Sequence, residues 1–223
     1  MPDYANRESA ETTLARLWGR VGRDVQRLIL DALGDPPDYA RLDEAFWSDI
    51  QARYEEVLLP TLESIYIDSA EQMAGVDGIP PADYALVNEA AAAWARRYTF
   101  ELVRGINYTS RQYLQRTIND FFQTGMNMRA LQERIARQFG TVRASRIAVT
   151  EVTRAAVEGE RAIVAQLAQS GIQMAAVWQT SNDDIVCRIC SPLNGLRQGD
   201  GWVYPPPAHV GCRCWINYEF VTS

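Results

Sequence analysis

The residues of this sequence best suited to chemistry are its four cysteines and its single histidine, which all fall within 28 residues near the C-terminus. They are Cys187, Cys190, His209, Cys212 and Cys214. A Cys-x-x-Cys turn presents two thiolates to one tetrahedral ion, and two cysteines separated by one residue on an extended chain point to the same side. Sulfur and imidazole ligands favour zinc over magnesium or calcium. The sequence therefore predicts a zinc site in which five candidate ligands compete for four positions.

The predicted zinc site has a structural role, because an ion with four protein ligands keeps no open position for water. It would act as a clip that joins two loop segments. His209 is either the fourth ligand or a residue that orients a thiolate. Two disulfides and four free thiols are the alternatives to zinc. Asp183, which precedes the first cysteine together with Asp184, is predicted to cap a turn rather than to form a catalytic pair.

A long helix is predicted immediately before this cluster, capped by Thr141 and reaching about Ser170–Gly171. One stripe of it, about 27 Å long at 1.5 Å per residue, consists of Arg143, Thr150, Arg154 and Arg161. Its three arginines could contact phosphates or the acidic surface of a partner, whereas Thr150 is predicted to be a structural polar residue. The alternative is a solvated face on which Glu158 pairs with Arg154 and Arg161 at helical spacing.

Glu151 lies in the middle of a different face of the same helix, which is otherwise lined by small residues. These are Ala144, Ala148, Ala155 and Ala162. A carboxylate among small side chains needs a partner, so we predict a structural salt bridge or a cap for the adjacent C-terminal loop. A general base is the alternative role for Glu151.

The spacing of apolar residues predicts helices throughout the first 140 residues. A first helix includes Leu14 to Ala32 and ends at Gly34–Pro37, and a second begins near Leu42 and is kinked or split by Pro60. A third covers about Ala82–Arg104, a fourth ends near Gly125, and a fifth runs from an Asn127 cap to Phe139–Gly140. Residues 173–180 and 214–220 are predicted strands on either side of the Cys/His loop.

The predicted fold class is therefore mostly α. An N-terminal helical bundle is followed by a long helix and a small C-terminal β element, which the Cys/His zinc-type site clips together in an α+β arrangement. The chain has 223 residues, 47% of them hydrophobic, so it can form a core without disulfides or a metal. No apolar run is long enough to cross a bilayer, and the acidic start is unlike a signal peptide, so we expect no membrane contact and synthesis in a cytoplasm.

Charge is distributed unevenly along the chain, and all 22 basic residues are arginine. Residues 1–115 have a net charge of -8, whereas residues 116–223 have a net charge of +2. This balance disfavours a protein that coats nucleic acid with its whole surface, because phosphates would be repelled by the first half. The second half, residues 116–223, could still make a local contact with an anion.

An ordered set of motifs resembles the Mu F-like minor head protein family of tailed bacteriophages. The motifs are Arg143-Ala-Ser-Arg-Ile-Ala-Val-Thr150-Glu151, Trp178-Gln-Thr180, Asp183-Asp-Ile-Val-Cys187-Arg-Ile-Cys190, Leu193-Asn-Gly195 and Pro206-Pro-Ala-His209-Val-Gly-Cys212-Arg-Cys214. The resemblance covers roughly residues 110–216, and the Pro-Pro-x-His-x-x-Cys-Arg-Cys ending is its most specific part. The chain departs from the usual pattern at Val149, where such proteins usually have arginine before the Thr-Glu pair.

The resemblance implies a minor capsid protein that acts in head morphogenesis and is not an enzyme. Its expected partner is the portal protein, with the major capsid or scaffold protein and the packaged DNA as further candidates. Its expected location is the interior of the virion head near the portal, after assembly in the bacterial host cytoplasm, and its expected roles are head assembly, DNA packaging or DNA ejection. Residues 1–106 would be the acidic helical docking region, and residues 107–223 the Mu F-like core.

Two other classes of protein are compatible with the Cys/His cluster. A zinc-dependent hydrolase or nuclease-like toxin would use Glu151 or Asp183 as a base, and it would need an open position on the metal. A zinc-bearing DNA-binding module would use the arginine stripe, and its affinity would fall steeply as salt rises.

Overall fold

The structure is a computed structural model that describes residues 3–180 and 186–221. Within these residues it contains five α-helices and one two-stranded sheet. The helices are α1 (Arg7–Leu33), α2 (Glu44–Ala74), α3 (Tyr84–Thr124), α4 (Met128–Gln138) and α5 (Thr141–Gln169), and the strands are β1 (Met174–Gln179) and β2 (Trp215–Phe220). Short 3₁₀ helices occur at Tyr39–Arg41 and Ser191–Leu193. The predicted fold class, mostly α with a small C-terminal β element, is confirmed.

Helix α5 lies at the centre of the molecule and packs against both α1 and α2. Its small residues, among them Ala148, Ala155 and Ala156, are buried. They allow the backbones of α5 and α2 to approach closely, so that the Ser69 hydroxyl donates a 2.8 Å hydrogen bond to the carbonyl oxygen of Ala156. At Gly159 there is no room even for a Cβ atom, which would overlap the carbonyl oxygen of Tyr66.

The third and fourth predicted helices form one helix, α3, of 41 residues. We expected a break between Arg104 and Tyr113, but Gly105 lies inside the helix, with nothing near the position that a Cβ would take. Val103 and Asn107 are both buried on either side of it. Packing of this continuous buried stripe outweighs the roughly 1 kcal/mol that glycine costs in a helix interior.

Helix α2 is not split at Pro60, where a kink or a split was predicted. Pro60 lies inside the helix, where it has no N–H to donate to the preceding turn. The nearby Thr61 hydroxyl donates a 2.9 Å hydrogen bond to the carbonyl oxygen of Val57. Leu58 and Leu62, on either side of the proline, are almost completely buried. Their packing holds the two segments in one helix.

The remaining predicted elements are found close to their expected positions. Asn127 caps α4 by accepting a 2.9 Å hydrogen bond from the N–H of Ala130. Thr141 is the first residue of α5 rather than its cap, which is Gly140. Strands β1 and β2 pair antiparallel, with Ala176 opposite Tyr218 and Trp178 opposite Ile216.

Helix α3 crosses the predicted boundary between residues 106 and 107 without interruption. Helices α1 and α2, from the predicted docking region, pack on α5 from the predicted core. Residues 1–106 and residues 107–223 thus share a hydrophobic core. Their division into a docking region and a Mu F-like core remains a hypothesis about function. None of the helices in the described ranges is both long and apolar enough to cross a membrane.

We predict that Gly159→Ala destabilises the protein by about 3 kcal/mol, because α5 and α2 must move apart to admit the methyl group. The control is Gly105→Ala, at an exposed helical glycine with open space around it, which should be neutral or stabilise by up to about 1 kcal/mol. Urea unfolding of both variants measures the difference. Equal stability of the two variants would contradict the close approach of the helices.

Candidate metal centre

The structure brings all five predicted metal ligands together in the loop between β1 and β2. They form two groups of three, Cys187 with Cys190 and His209, and Cys190 with Cys212 and Cys214. Within each group the ligand atoms lie within 4.8 Å of one another. Cys190 belongs to both groups, so it joins the Cys-x-x-Cys turn to the Cys-x-Cys segment. Such groupings could bind a metal ion.

Local backbone structure orients the ligands of the first group. The N–H of Cys190 donates to the carbonyl oxygen of Cys187 at 3.1 Å and approaches its Sγ at 3.4 Å. This tight turn directs both sulfurs to one side. The Nδ1 of His209 lies 3.0 Å from the carbonyl oxygen of Val210. If Nδ1–H donates to that oxygen, Nε2 carries no proton and keeps a free lone pair. This is the form of histidine that binds metals.

The separation of two of the sulfur atoms fits a tetrahedral zinc ion. Two thiolates bound to one zinc at roughly 2.3 Å lie about 3.8 Å apart, and the Sγ atoms of Cys190 and Cys212 are separated by 3.8 Å. The Nε2 of His209 lies 2.9 Å from the Sγ of Cys187 and 3.3 Å from that of Cys190. All four cysteines are free thiols in this arrangement. The soft donor set suits zinc, but the 2.9 Å contact is a hydrogen-bonding distance, shorter than the roughly 3.5 Å between a nitrogen and a sulfur bound to one zinc ion.

The cluster also favours thiolate formation at one of its members. A hydrogen bond from the Cys214 thiol, with the backbone N–H groups of Cys214 and Ala208, lowers the pKa of Cys212 to about 5. Burial and the neighbouring charge of Cys212 raise the pKa of Cys190 to about 12. A negative charge at Cys212 is thus stabilised before any cation arrives, and metal binding requires this deprotonated form.

Two threonines of α5 hold the Cys/His loop against the helix. The hydroxyl of Thr150 accepts a 2.8 Å hydrogen bond from the N–H of Gly211 and donates to the carbonyl oxygen of Arg146. The hydroxyl of Thr153 donates a 2.8 Å hydrogen bond to the carbonyl oxygen of Cys212. Both groups satisfy backbone atoms of the loop between the two predicted ligands His209 and Cys214. Thr150 was predicted as a structural polar residue, whereas Thr153 was missed.

The first turns of α1 complete the support of the loop. The guanidinium of Arg7 is buried, donates a 2.7 Å hydrogen bond to the hydroxyl of Thr153 and pairs with Asp3. One turn later, Glu11 accepts two hydrogen bonds from Arg213, the residue between Cys212 and Cys214. A buried bidentate carboxylate of this kind fixes the orientation of the arginine. Helix α1, the first helix of the chain, therefore contacts the Cys/His loop directly.

A buried acid lies close to this contact. Glu160 is 4% exposed and its Oε2 has no hydrogen-bond partner within the described residues. Burial raises the pKa of Glu160 to about 8, although the charge of Arg7 acts in the opposite direction. Burial also raises the pKa of Tyr218, and the proximity of Glu160 adds to that effect. A protonated Glu160 is compatible with this apolar site, because a neutral carboxyl costs less to bury than a charge.

Glu151 is buried and pairs with side chains of the helical bundle. Its Oε2 accepts a 2.6 Å hydrogen bond from the Tyr98 hydroxyl and lies 3.5 Å from the Nε of Arg154. The Arg154 guanidinium also stacks over the Tyr98 ring, 5.2 Å from its centroid. These contacts join α5 to α3. Burial raises the pKa of Glu151, and the Tyr98 hydrogen bond and the Arg154 charge oppose that rise.

The three arginines of the predicted stripe all have partners within the chain. Arg143 donates to Ser110, Thr109 and the carbonyl oxygen of Gln138, and burial lowers its pKa. Arg154 pairs with Glu151, as above, and Arg161 pairs with Glu158 at 2.9 Å. The expected Arg161–Glu158 pair is thus present. A DNA or partner contact by these arginines would compete with their internal hydrogen bonds and ion pairs.

Asp183, predicted to cap a turn, lies outside the described residues. The support of the loop by α1 could not have been found from the sequence, because Arg7 and Glu11 are about 150 to 200 positions away from their partners. One weak feature of the sequence could have indicated the role of Thr153. It follows Thr150 by three residues and so shares its side of the helix.

Residues 112–217 match the model of the family described as Phage Mu protein F like protein. The matched range contains α4, α5, β1, the first half of β2 and all five Cys/His residues. The predicted resemblance to this family is confirmed over residues 112–217, just under half of the chain. The family is structural and morphogenetic, and it indicates a phage head morphogenesis protein. Searches of curated proteins and of solved structures gave no match to this chain.

We predict that Thr153→Val lowers the free energy of unfolding by about 2 kcal/mol, since the Cys212 carbonyl and the Arg7 guanidinium each lose a buried partner. Valine has nearly the same shape, so packing is kept. The control is Thr124→Val at an exposed position near the end of α3, which should change stability by less than about 0.5 kcal/mol. Denaturant unfolding measures both. A Thr153→Val protein as stable as the control would disprove the bridging role.

Proposed function

We propose that the chain is a minor head protein of a tailed phage that binds the portal protein at the inside of the head. In this role it aids head assembly, DNA packaging or DNA ejection, and its zinc ion is structural rather than catalytic. The family match over residues 112–217 carries the proposal. The chain acts in the virion head, after assembly in the cytoplasm of the bacterial host.

The geometry of the cluster supports a structural metal. The five candidate ligands form two groups of three that share Cys190, and a zinc ion that takes four of them keeps no position for water. Two α5 threonines and two residues of α1 fix the loop from outside. Glu151, the buried carboxylate that a hydrolase would use as its general base, is already held by Tyr98 and Arg154. These contacts favour a clip over a hydrolase.

Charge supports a protein partner rather than DNA as the main partner. The arginines of the α5 stripe are engaged within the chain, and residues 1–115 have a net charge of -8. The acidic region 1–106 is the proposed docking part, and the portal protein would offer it a basic surface. Such a contact weakens as ionic strength rises. Major capsid or scaffold protein and packaged DNA are secondary partners in this proposal.

We predict that native mass spectrometry of the reduced protein shows one zinc ion per chain. Cys212→Ser should lose the ion and much of the C-terminal fold, because structural zinc contributes on the order of 10 kcal/mol to a small domain. The control is Arg188→Ser, at an exposed position inside the Cys-x-x-Cys turn that supplies no ligand atom; it should keep the ion. A fully folded, metal-free, reduced wild-type protein would contradict the structural zinc.

Portal binding is tested separately, so that its failure is distinguishable from a failure of the metal site. The full chain and the portal protein of the same phage are co-expressed and analysed by size exclusion at moderate salt. We expect a complex of defined stoichiometry that dissociates as salt is raised, and no complex with the portal protein of an unrelated phage. A chain that elutes alone at every salt concentration would overturn the portal proposal and leave the family assignment intact.

A further inference from the structure

The five candidate ligands divide into a buried triad and an outer pair. The buried triad is Cys190, Cys212 and Cys214, each at most 5% exposed, and the outer pair is Cys187 and His209, which are half-buried. The ligand atoms of the buried triad all lie within 4.8 Å of one another. Among the described residues, the candidate ligands form two groups of three at this distance and no group of four. One ion in the buried triad therefore needs a fourth ligand that moves toward it.

The buried triad is the part of the cluster that the rest of the fold holds in place. The carbonyl oxygen of Cys212 accepts a hydrogen bond from Thr153, and the neighbouring Arg213 pairs with Glu11. The Sγ atoms of Cys190 and Cys212 are 3.8 Å apart, which suits two thiolates bound to one zinc ion at roughly 2.3 Å. Three of the four positions of a tetrahedral zinc ion would thus be filled by buried sulfurs.

The outer pair offers two candidates for the one position that remains. The Nε2 of His209 lies 2.9 Å from the Sγ of Cys187 and 3.3 Å from that of Cys190. The first distance is a hydrogen-bonding distance, and it is shorter than the roughly 3.5 Å between a nitrogen and a sulfur bound to one zinc ion. The outer pair is therefore arranged as one ligand and its hydrogen-bond partner.

Backbone geometry favours Cys187 as the ligand of the outer pair. The N–H of Cys190 approaches the Sγ of Cys187 at 3.4 Å, and a donor directed at a ligand atom fixes its orientation and supports its charge. We propose that Cys187 completes a four-sulfur site and that His209 is a reserve ligand, which hydrogen bonds with Cys187 and takes its position when that sulfur is absent. This inference rests on the structural zinc of the proposed function.

The test compares alanine variants of the reduced full chain by zinc competition with a chelator and by the visible spectrum of the cobalt-substituted protein. His209→Ala should keep the wild-type spectrum and raise the zinc Kd about tenfold, because it removes a hydrogen bond to a ligand. Cys187→Ala should still bind one ion, with a spectrum shifted because nitrogen replaces one sulfur. The double variant should lose far more affinity than the two single effects combined, since neither fourth ligand is left.

Cys214→Ala is the matched control within the buried triad and should lose the ion, whereas Val210→Ala, at an exposed neighbour of His209, should leave the zinc Kd unchanged. Circular dichroism shows whether each variant folds. A Cys187→Ala protein that loses the ion as Cys214→Ala does, or a double variant that shows only the combined single effects, overturns the reserve role of His209. A wild-type cobalt spectrum of three sulfurs and one nitrogen overturns the assignment of Cys187. A wild-type protein that binds no zinc would overturn the structural zinc as well, so the two failures are distinguishable.

Discussion

The hydrogen bonds from Arg7 through Thr153 to the carbonyl oxygen of Cys212 join the first helix, the central helix and the Cys/His loop. Each group in this chain is buried or nearly so, and each would be costly to bury without its partner. The position of the loop therefore depends on helices that are distant in sequence. A metal ion bound by the loop would in turn hold the start of α1 in place. The hydrogen bonds thus connect the bundle to the candidate metal centre.

Much of this arrangement could be predicted from local patterns. The helices, both strands and the clustering of the five ligands follow from apolar spacing, caps and cysteine spacing, which act over a few residues. The continuity of α3 through Gly105 could not be predicted, because it results from packing of Val103 and Asn107 on other helices. The partners of Arg7 and Glu11 were equally inaccessible, since no local pattern specifies contacts across most of the chain.

Charged residues form pairs inside the chain in one region and give a net acidic charge in another. The arginines of the predicted stripe, Arg143, Arg154 and Arg161, have partners within the chain, among them Ser110, Glu151 and Glu158. The first half of the sequence, residues 1–115, has a net charge of -8. A protein built in this way suits assembly with other proteins, as the phage Mu protein F like family indicates for head morphogenesis.

The coupling between the metal ion and the first helix can be measured by hydrogen exchange of the zinc-loaded protein before and after chelation. The account predicts faster exchange in residues 209–214 and also in the first two turns of α1, while α4, which makes none of these contacts, keeps its protection. Faster exchange confined to the loop would contradict the account, because it would show that Arg7 and Glu11 hold their places without the metal.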